Sequence, residues 1–327
     1  MLNWDVNVKC WGNLFFKKMV YEVALRTTLP MLLLIILGYL SRKTGILRAG
    51  DERVLNAYIY YFALPSLFIV DLAGIEFTWG EIEFVLAGVT PVIIVLAAYI
   101  VLYVVLGFSR SLLYLLVLTT IFGSTAFYGI PFLMFAFSNI VEKLATLAAA
   151  SISIIGVSIS IAFLEFYRLG APGLRGLRIV GKRLSKNPLI LSILIGLSMS
   201  FLKINIPYPL STVLHMLGST TATVAIFMLG VLFYGRSYGR FAESLALSLL
   251  RMILLPAISL SISVLLGLSS LERTVLIVMH SVPLAVSMII LSDRYDFYKE
   301  TVSSVVLLSS LSAIIYLNIW LIISLSF

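Results

Sequence analysis

Two short clusters combine the residue types that open a helix inside an apolar stretch. One is Gly123-Ser124-Thr125-Ala126-Phe127-Tyr128-Gly129-Ile130-Pro131, the other His280-Ser281-Val282-Pro283. Proline donates no amide hydrogen, and its ring clashes with the carbonyl four residues back. Glycine two residues earlier loosens the same turn. The clusters predict interruptions within about two residues of Gly129 and of Ser281. A helix that restarts after a gap turns unpaired amides and its positive dipole end toward that gap. Two such ends make an anion site without any buried cation. Ser124, Thr125, Tyr128, Gly129, Ile130, Pro131, His280, Ser281 and Pro283 are the residues expected to form it. The hydroxyls of Ser124, Thr125 and Ser281 would orient a carboxylate. The alternative is a pair of ordinary proline kinks.

His280 lies beside the second cluster and could carry a coupled proton near neutrality. A neutral imidazole bonding a freed carbonyl is the competing role. Asp71, toward the end of a hydrophobic segment, is either a gate or proton site or a group that reaches the interface. Glu165 is expected to snorkel with Arg168, Glu22 to pair with Arg26, and His215 to sit at the interface. No metal site is expected, and Cys10, the one cysteine, excludes an internal disulfide and a Cys-based cluster.

The elements that must hold these clusters follow from composition. The chain is 61% hydrophobic and 12% charged, against about half and a quarter in soluble domains. The excess falls in blocks of about 20 residues, enough to cross a hydrocarbon core as helices, where every backbone polar group must be satisfied internally. The reading is an all-α integral membrane protein with ten spans, near 20–41, 53–72, 82–107, 112–138, 143–167, 187–202, 209–234, 243–267, 273–292 and 301–325. Residues 1–18 read as a polar tail, with Met19 a natural beginning.

A repeat divides the chain. Leu29-Pro30 is followed by Gly38, and Asn187-Pro188 by Gly196, each glycine eight residues after its proline, at an offset of 158. Pro91 and Pro256 both fall early in their spans, Pro131 and Pro283 deep in theirs. Five spans followed by five similar ones have opposite orientations, so 19–167 and 187–327 are expected to be inverted repeats joined by a mobile basic linker, 168–186. Fifteen basic residues lie in the linker and the loops on its side, three (Lys143, Lys203 and Arg273) on the other. The linker is therefore expected in the cytoplasm and both termini outside a cell membrane crossed many times.

Several segments resemble the auxin efflux carrier family: "LGYLSRKTGIL" (Leu37–Leu47), "YFALPSLF" (Tyr61–Phe68), "YGIPFL" (Tyr128–Leu133), "KNPLILSILIGL" (Lys186–Leu197), "LGSTTATVAIFMLG" (Leu217–Gly230) and "VPLAVSMIILSDRYD" (Val282–Asp296). The resemblance covers nearly everything from Met19 onward. It implies ten helices, inverted five-helix repeats, crossing broken helices four and nine, a scaffold half and a transport half, and export of organic anions. The chain departs from the family at Ser124, where Asn is usual, and at Thr223, where proline is expected.

The function expected is secondary transport of a small carboxylate by alternating access. The alternatives are a sodium- or proton-coupled carrier resembling bile-acid symporters or sodium–proton antiporters, and a non-transporting membrane receptor. Expected partners are the organic anion, the lipid bilayer and a second copy of the chain as a homodimer, with no cofactor and no nucleic acid. Gly176 to Arg183 imitates a phosphate-binding loop, but Arg183 stands where Ser or Thr must hold magnesium. No nucleophile, acid or metal group is placed for enzymatic hydrolysis.

Overall fold

The computed structural model describes residues 29–169 and 174–326. The tail 1–18, Met19, Cys10, the Glu22–Arg26 pair and the N-terminus itself lie outside them. Among the described residues regular structure is helical, apart from a single isolated bridge between two irregular segments.

Helix α1 occupies 29–43. After it, α2 (Asp51–Tyr58), a π turn (Ile59–Ala63) and α3 (Leu64–Ala73) follow without interruption, then α4 (Trp79–Leu106). An interrupted pair comes next, α5 (Arg110–Ile121) and, beyond a π turn (Thr125–Gly129), α6 (Ile130–Phe137). The long α7 (Glu142–Leu169) precedes α8 (Leu174–Leu184), α9 (Pro188–Phe201), α10 (Tyr208–Phe233) and α11 (Phe241–Leu265). A second interrupted pair, α12 (Ser270–Ser281) and α13 (Ser287–Tyr295), leads to α14 (Lys299–Leu325).

Local chemistry sets the starts. Thr78 with Glu81, and Ser269 with Glu272, form reciprocal capping boxes that open α4 and α12. Asn187 accepts from the amides of Leu189 (3.0 Å) and Ile190 (3.4 Å), and Pro188 supplies a preset first residue for α9.

Among the described residues six helices are long and apolar enough to cross a membrane, or seven if the bent pair around Ser185–Asn187 counts as one span. The two interrupted elements fall short because each is divided into pieces shorter than a span, such as Arg110–Ile121 and Thr125–Phe137. The outer face of α4 is apolar and open, with Val104 and Val105 each more than 70% exposed. That suits contact with lipid rather than water.

Small residues let helices meet backbone to backbone, as expected where lipid gives apolar side chains no advantage in burial. Gly38 of α1 lies against the Phe227 carbonyl of α10, and Gly230 of α10 lies against the Ile35 carbonyl of α1. Gly196 of α9 meets α3 in the same manner: an added Cβ would sit 2.9 Å from the Phe68 carbonyl oxygen. Around the interrupted pairs, α4, α7, α11 and α14 pack on one another and on the half-helices.

The basic stretch 168–186, read from sequence as a mobile linker, contains α8. Gly176, Ile179, Val180 and Arg183 form its inner face at helical spacing, while Leu177, Arg178 and Lys182 face outward. Glu165 does more than snorkel with Arg168. Its fully buried carboxylate binds Arg168 at 2.8 Å and Arg183 at 2.7 Å and accepts from the Tyr295 hydroxyl at 2.6 Å, joining α7, α8 and α13. The stretch resembling a phosphate-binding loop is part of this helix rather than a loop.

Candidate functional site

The first interruption lies at Phe122–Ser124, where Phe122 (φ −81°, ψ 84°) and Ser124 (φ −81°, ψ 49°) leave the helical conformation. This corrects the expectation of a break at Gly129. The π turn absorbs Pro131 inside a continuous half-helix, with the amides of Tyr128 and Gly129 both donating to the Ser124 carbonyl at 2.8 and 3.2 Å. Gly129 serves packing: a Cβ there would come 2.6 Å from the Met279 sulfur. The second interruption starts at Val282, directly after Ser281, at the expected place.

The two gaps run antiparallel and satisfy each other. Ser124 N–H donates to the Pro283 carbonyl and Ala285 N–H to the Phe122 carbonyl, both at 2.9 Å. Leu284 N–H donates to Ser309 Oγ of α14 at 3.2 Å. Buried backbone groups need such partners, and in a bilayer core no water would replace them.

A cation completes the arrangement. Arg251 of α11 is 1% exposed. Its Nε donates to the Val282 carbonyl at 2.7 Å, and its Nη1 to the Thr120 carbonyl. Gly123 is required here, since a Cβ would overlap Nη2. The anion site expected without a buried cation therefore has one at its back. The motif reading passed over Arg251, although one charge inside an apolar span is itself a functional signal.

Beside the crossing is a cavity of about 360 Å³, lined by Ser124, Thr125, Ala126 and Phe127 of the first gap and by Ala285 and Ser287 of the second. Asn56, Asn187 and Arg294 line it too, from helix ends on the α8 side. Thr125 Oγ1 and Ser153 Oγ lie 2.9 Å apart. Ser124 Oγ is buried and has no hydrogen-bond partner. The amides of Thr125, Ala126 and Phe127 open a half-helix and so have no acceptor within it. On the other strand Leu284 and Ala285 have already spent theirs. Ser287, the first residue of α13, lines the same cavity, so the starts of both second half-helices border it.

The remaining residues read from the motifs stand behind this surface. Tyr128, Gly129, Ile130 and Pro131 are buried in the next turn, with the Tyr128 hydroxyl donating to the Ser310 carbonyl at 3.2 Å. Ser281 Oγ donates to the Ile277 carbonyl of its own helix at 2.7 Å, and Pro283 contributes its carbonyl to the crossing. His280 is buried and away from the cavity lining; its Nε2 lies 2.8 Å from the Gly88 carbonyl and must donate there, while Nδ1 has no partner. Asp71 is 3% exposed rather than interfacial, and accepts from Thr146 Oγ1 at 2.6 Å. It lines two smaller cavities shared with the exposed His215, one bordered by Glu142 and the other by Lys143.

Apolar helices of spanning length around a paired, polar interruption are those of a multi-pass membrane protein. The membrane transport protein family matches residues 23–168 and 174–321, and the chain belongs to that family, the auxin efflux carriers. It is 23% identical over 310 residues to the uncharacterized transporter MJ1031 of Methanocaldococcus jannaschii, covering 91% of this chain and 98% of that one. Similarity to the uncharacterized transporter YfdV of Escherichia coli K12 is 22% over 304 residues, 90% and 96% of the two chains. A putative malonate transporter of Rhizobium meliloti is 25% identical over 310 residues, 88% and 91% of the two. The family and these relatives are transporters, not enzymes.

The position of the gap sets a ranking. Gly123→Ala forces a Cβ into the guanidinium and should lower stability by about 1–3 kcal/mol. Pro131→Ala, within a continuous half-helix, should not lower it. Melting temperatures of the two purified variants check this, and an intact Gly123→Ala with a destabilised Pro131→Ala would return the break to Gly129.

Proposed function

We propose that the protein is a secondary carrier for a small carboxylate, a dicarboxylate such as malonate being the first choice. The observation that carries the reading is the unpartnered, buried hydroxyl of Ser124 at the mouth of an open half-helix N-terminus in the cavity wall. An orphaned buried donor next to unpaired amides fits an anion, and the half-helix dipole favours negative charge there. Arg251 adds a full positive charge behind Gly123. The name of the Rhizobium relative points to the same chemistry.

In this proposal the chain has ten spans in two inverted repeats. The order supports it: α1 corresponds to α9, α2–α3 to α10, α4 to α11, the first interrupted pair to the second, and α7 to α14. Gly38 and Gly196, the matched glycines, each lie against a helix of the other half, α10 and α3. The scaffold would be α1, α2–α3, α9 and α10, and the moving half would carry the crossing. With the α8 side in the cytoplasm, the cavity faces inward. Alternating access would rock the crossing against the scaffold until the small cavities around Asp71 become the exit.

A coupled proton, if the carrier uses one, is better placed at Asp71, which lines cavities, than at His280, which does not. In proteoliposomes Asp71→Asn should remove dependence of flux on a pH gradient and His280→Ala should leave it. The opposite pattern would assign the proton to His280.

The substrate reading is tested by melting the purified protein with malonate, propionate and uncharged malonamide. Saturating malonate should raise stability by about 2–3 kcal/mol at a hundredfold excess over Kd. Malonamide should do nothing. Ser124→Ala should weaken malonate about tenfold, roughly 1.4 kcal/mol. Equal shifts with malonamide, or an unaltered Ser124→Ala, would contradict an anion site at the first gap.

A further inference from the structure

Arg251 is the one charged side chain in the interior of α11, and it is among the largest fully buried side chains. A buried cation is tolerated only when acceptors surround it. Among the described residues no carboxylate forms an ion pair with it. Its acceptors are backbone carbonyls: Thr120, in the last turn of α5, and Val282, the residue that follows α12. Two helix C-termini converge there, with the negative ends of both dipoles. Placed together without a positive charge between them, those ends would repel. Carbonyl-rich half-helix ends of this kind are where carriers hold a sodium ion.

We infer that Arg251 is a resident cation that takes the place of sodium at the crossing, so that neither assembly of the crossing nor binding of the carboxylate needs sodium. The guanidinium spans the two segments with separate nitrogens, Nε to Val282 and Nη1 to Thr120. Tethered to α11, it stays with the crossing when the site opens, so a sodium gradient has no ion there to drive. The ligand half of this inference rests on the carboxylate reading above; the assembly half does not.

The test is thermal melting of the purified protein in sodium chloride and in choline chloride at equal ionic strength. The wild type should melt at the same temperature in both. Arg251→Gln should melt lower in choline and be raised by sodium, while Arg251→Lys, which keeps a cation, should not respond to sodium. Sodium stabilising the wild type would overturn the inference, as would an Arg251→Gln protein that is fully stable or indifferent to sodium. Should Arg251→Gln not fold, Arg251→Lys decides: sodium-independent melting supports the inference and sodium-dependent melting overturns it. The malonate shift of the wild type should match in the two salts. A shift seen only in sodium would overturn the inference and leave the carboxylate site standing. A shift in neither salt would count against the carboxylate site and leave the ligand-free melts to decide the role of Arg251.

Discussion

The structure depends on an exchange of backbone hydrogen bonds at a place where water cannot substitute. Two helices stop inside the protein, at Ile121 and Ser281, and the residues between their halves would carry unpaired donors and acceptors into an apolar core. Each gap is the other's remedy: Ser124 donates to Pro283, and Ala285 to Phe122. Neither interruption is tolerable alone, which is why they occur as a pair.

Pairing leaves two imbalances, and the chain resolves them differently. Toward the ends of the first half-helices, carbonyls accumulate, and Arg251 meets them. Toward the starts of the second, amides accumulate, and those of Ser124, Leu284 and Ala285 are spent on the protein itself. At the first gap Ser124 to Phe127 line a cavity, and the buried Ser124 hydroxyl has no partner. The asymmetry of the site lies in the side chains: the Ser124 hydroxyl at the first gap has no partner, whereas Ser309 takes the Leu284 amide at the second. Gly123 fits both needs, allowing the close approach of the partner strand and of the guanidinium.

The sequence carried the membrane character, the family and the existence of both gaps, because length of apolar run, proline and glycine act locally. It placed the second gap well, since Val282-Pro283 ends α12 directly, and misplaced the first. Pro131 looks like a breaker in one dimension, but a π turn over Thr125–Gly129 accommodates it, and the opening at Gly123 depends on a partner strand some 160 residues away. Arg251 was legible as a lone charge in an apolar span, yet nothing local says that its acceptors would be carbonyls of two other elements. Asp71 looked interfacial by its position near the end of its span; burial came from α7, whose Thr146 meets it. The helix in the basic stretch 168–186 was missed because its glycines outweighed the spacing of Ile179, Val180 and Arg183.

The central claim is that Ser124, at the first gap, faces a carboxylate reached from water. A protein with its only cysteine at position 124, Cys10 being replaced by serine, tests it directly through the rate of reaction with a small water-soluble thiol reagent. The account predicts steady modification that malonate slows in a saturable manner and malonamide leaves unchanged. A cysteine that does not react, or one whose rate malonate leaves unaltered, would contradict it.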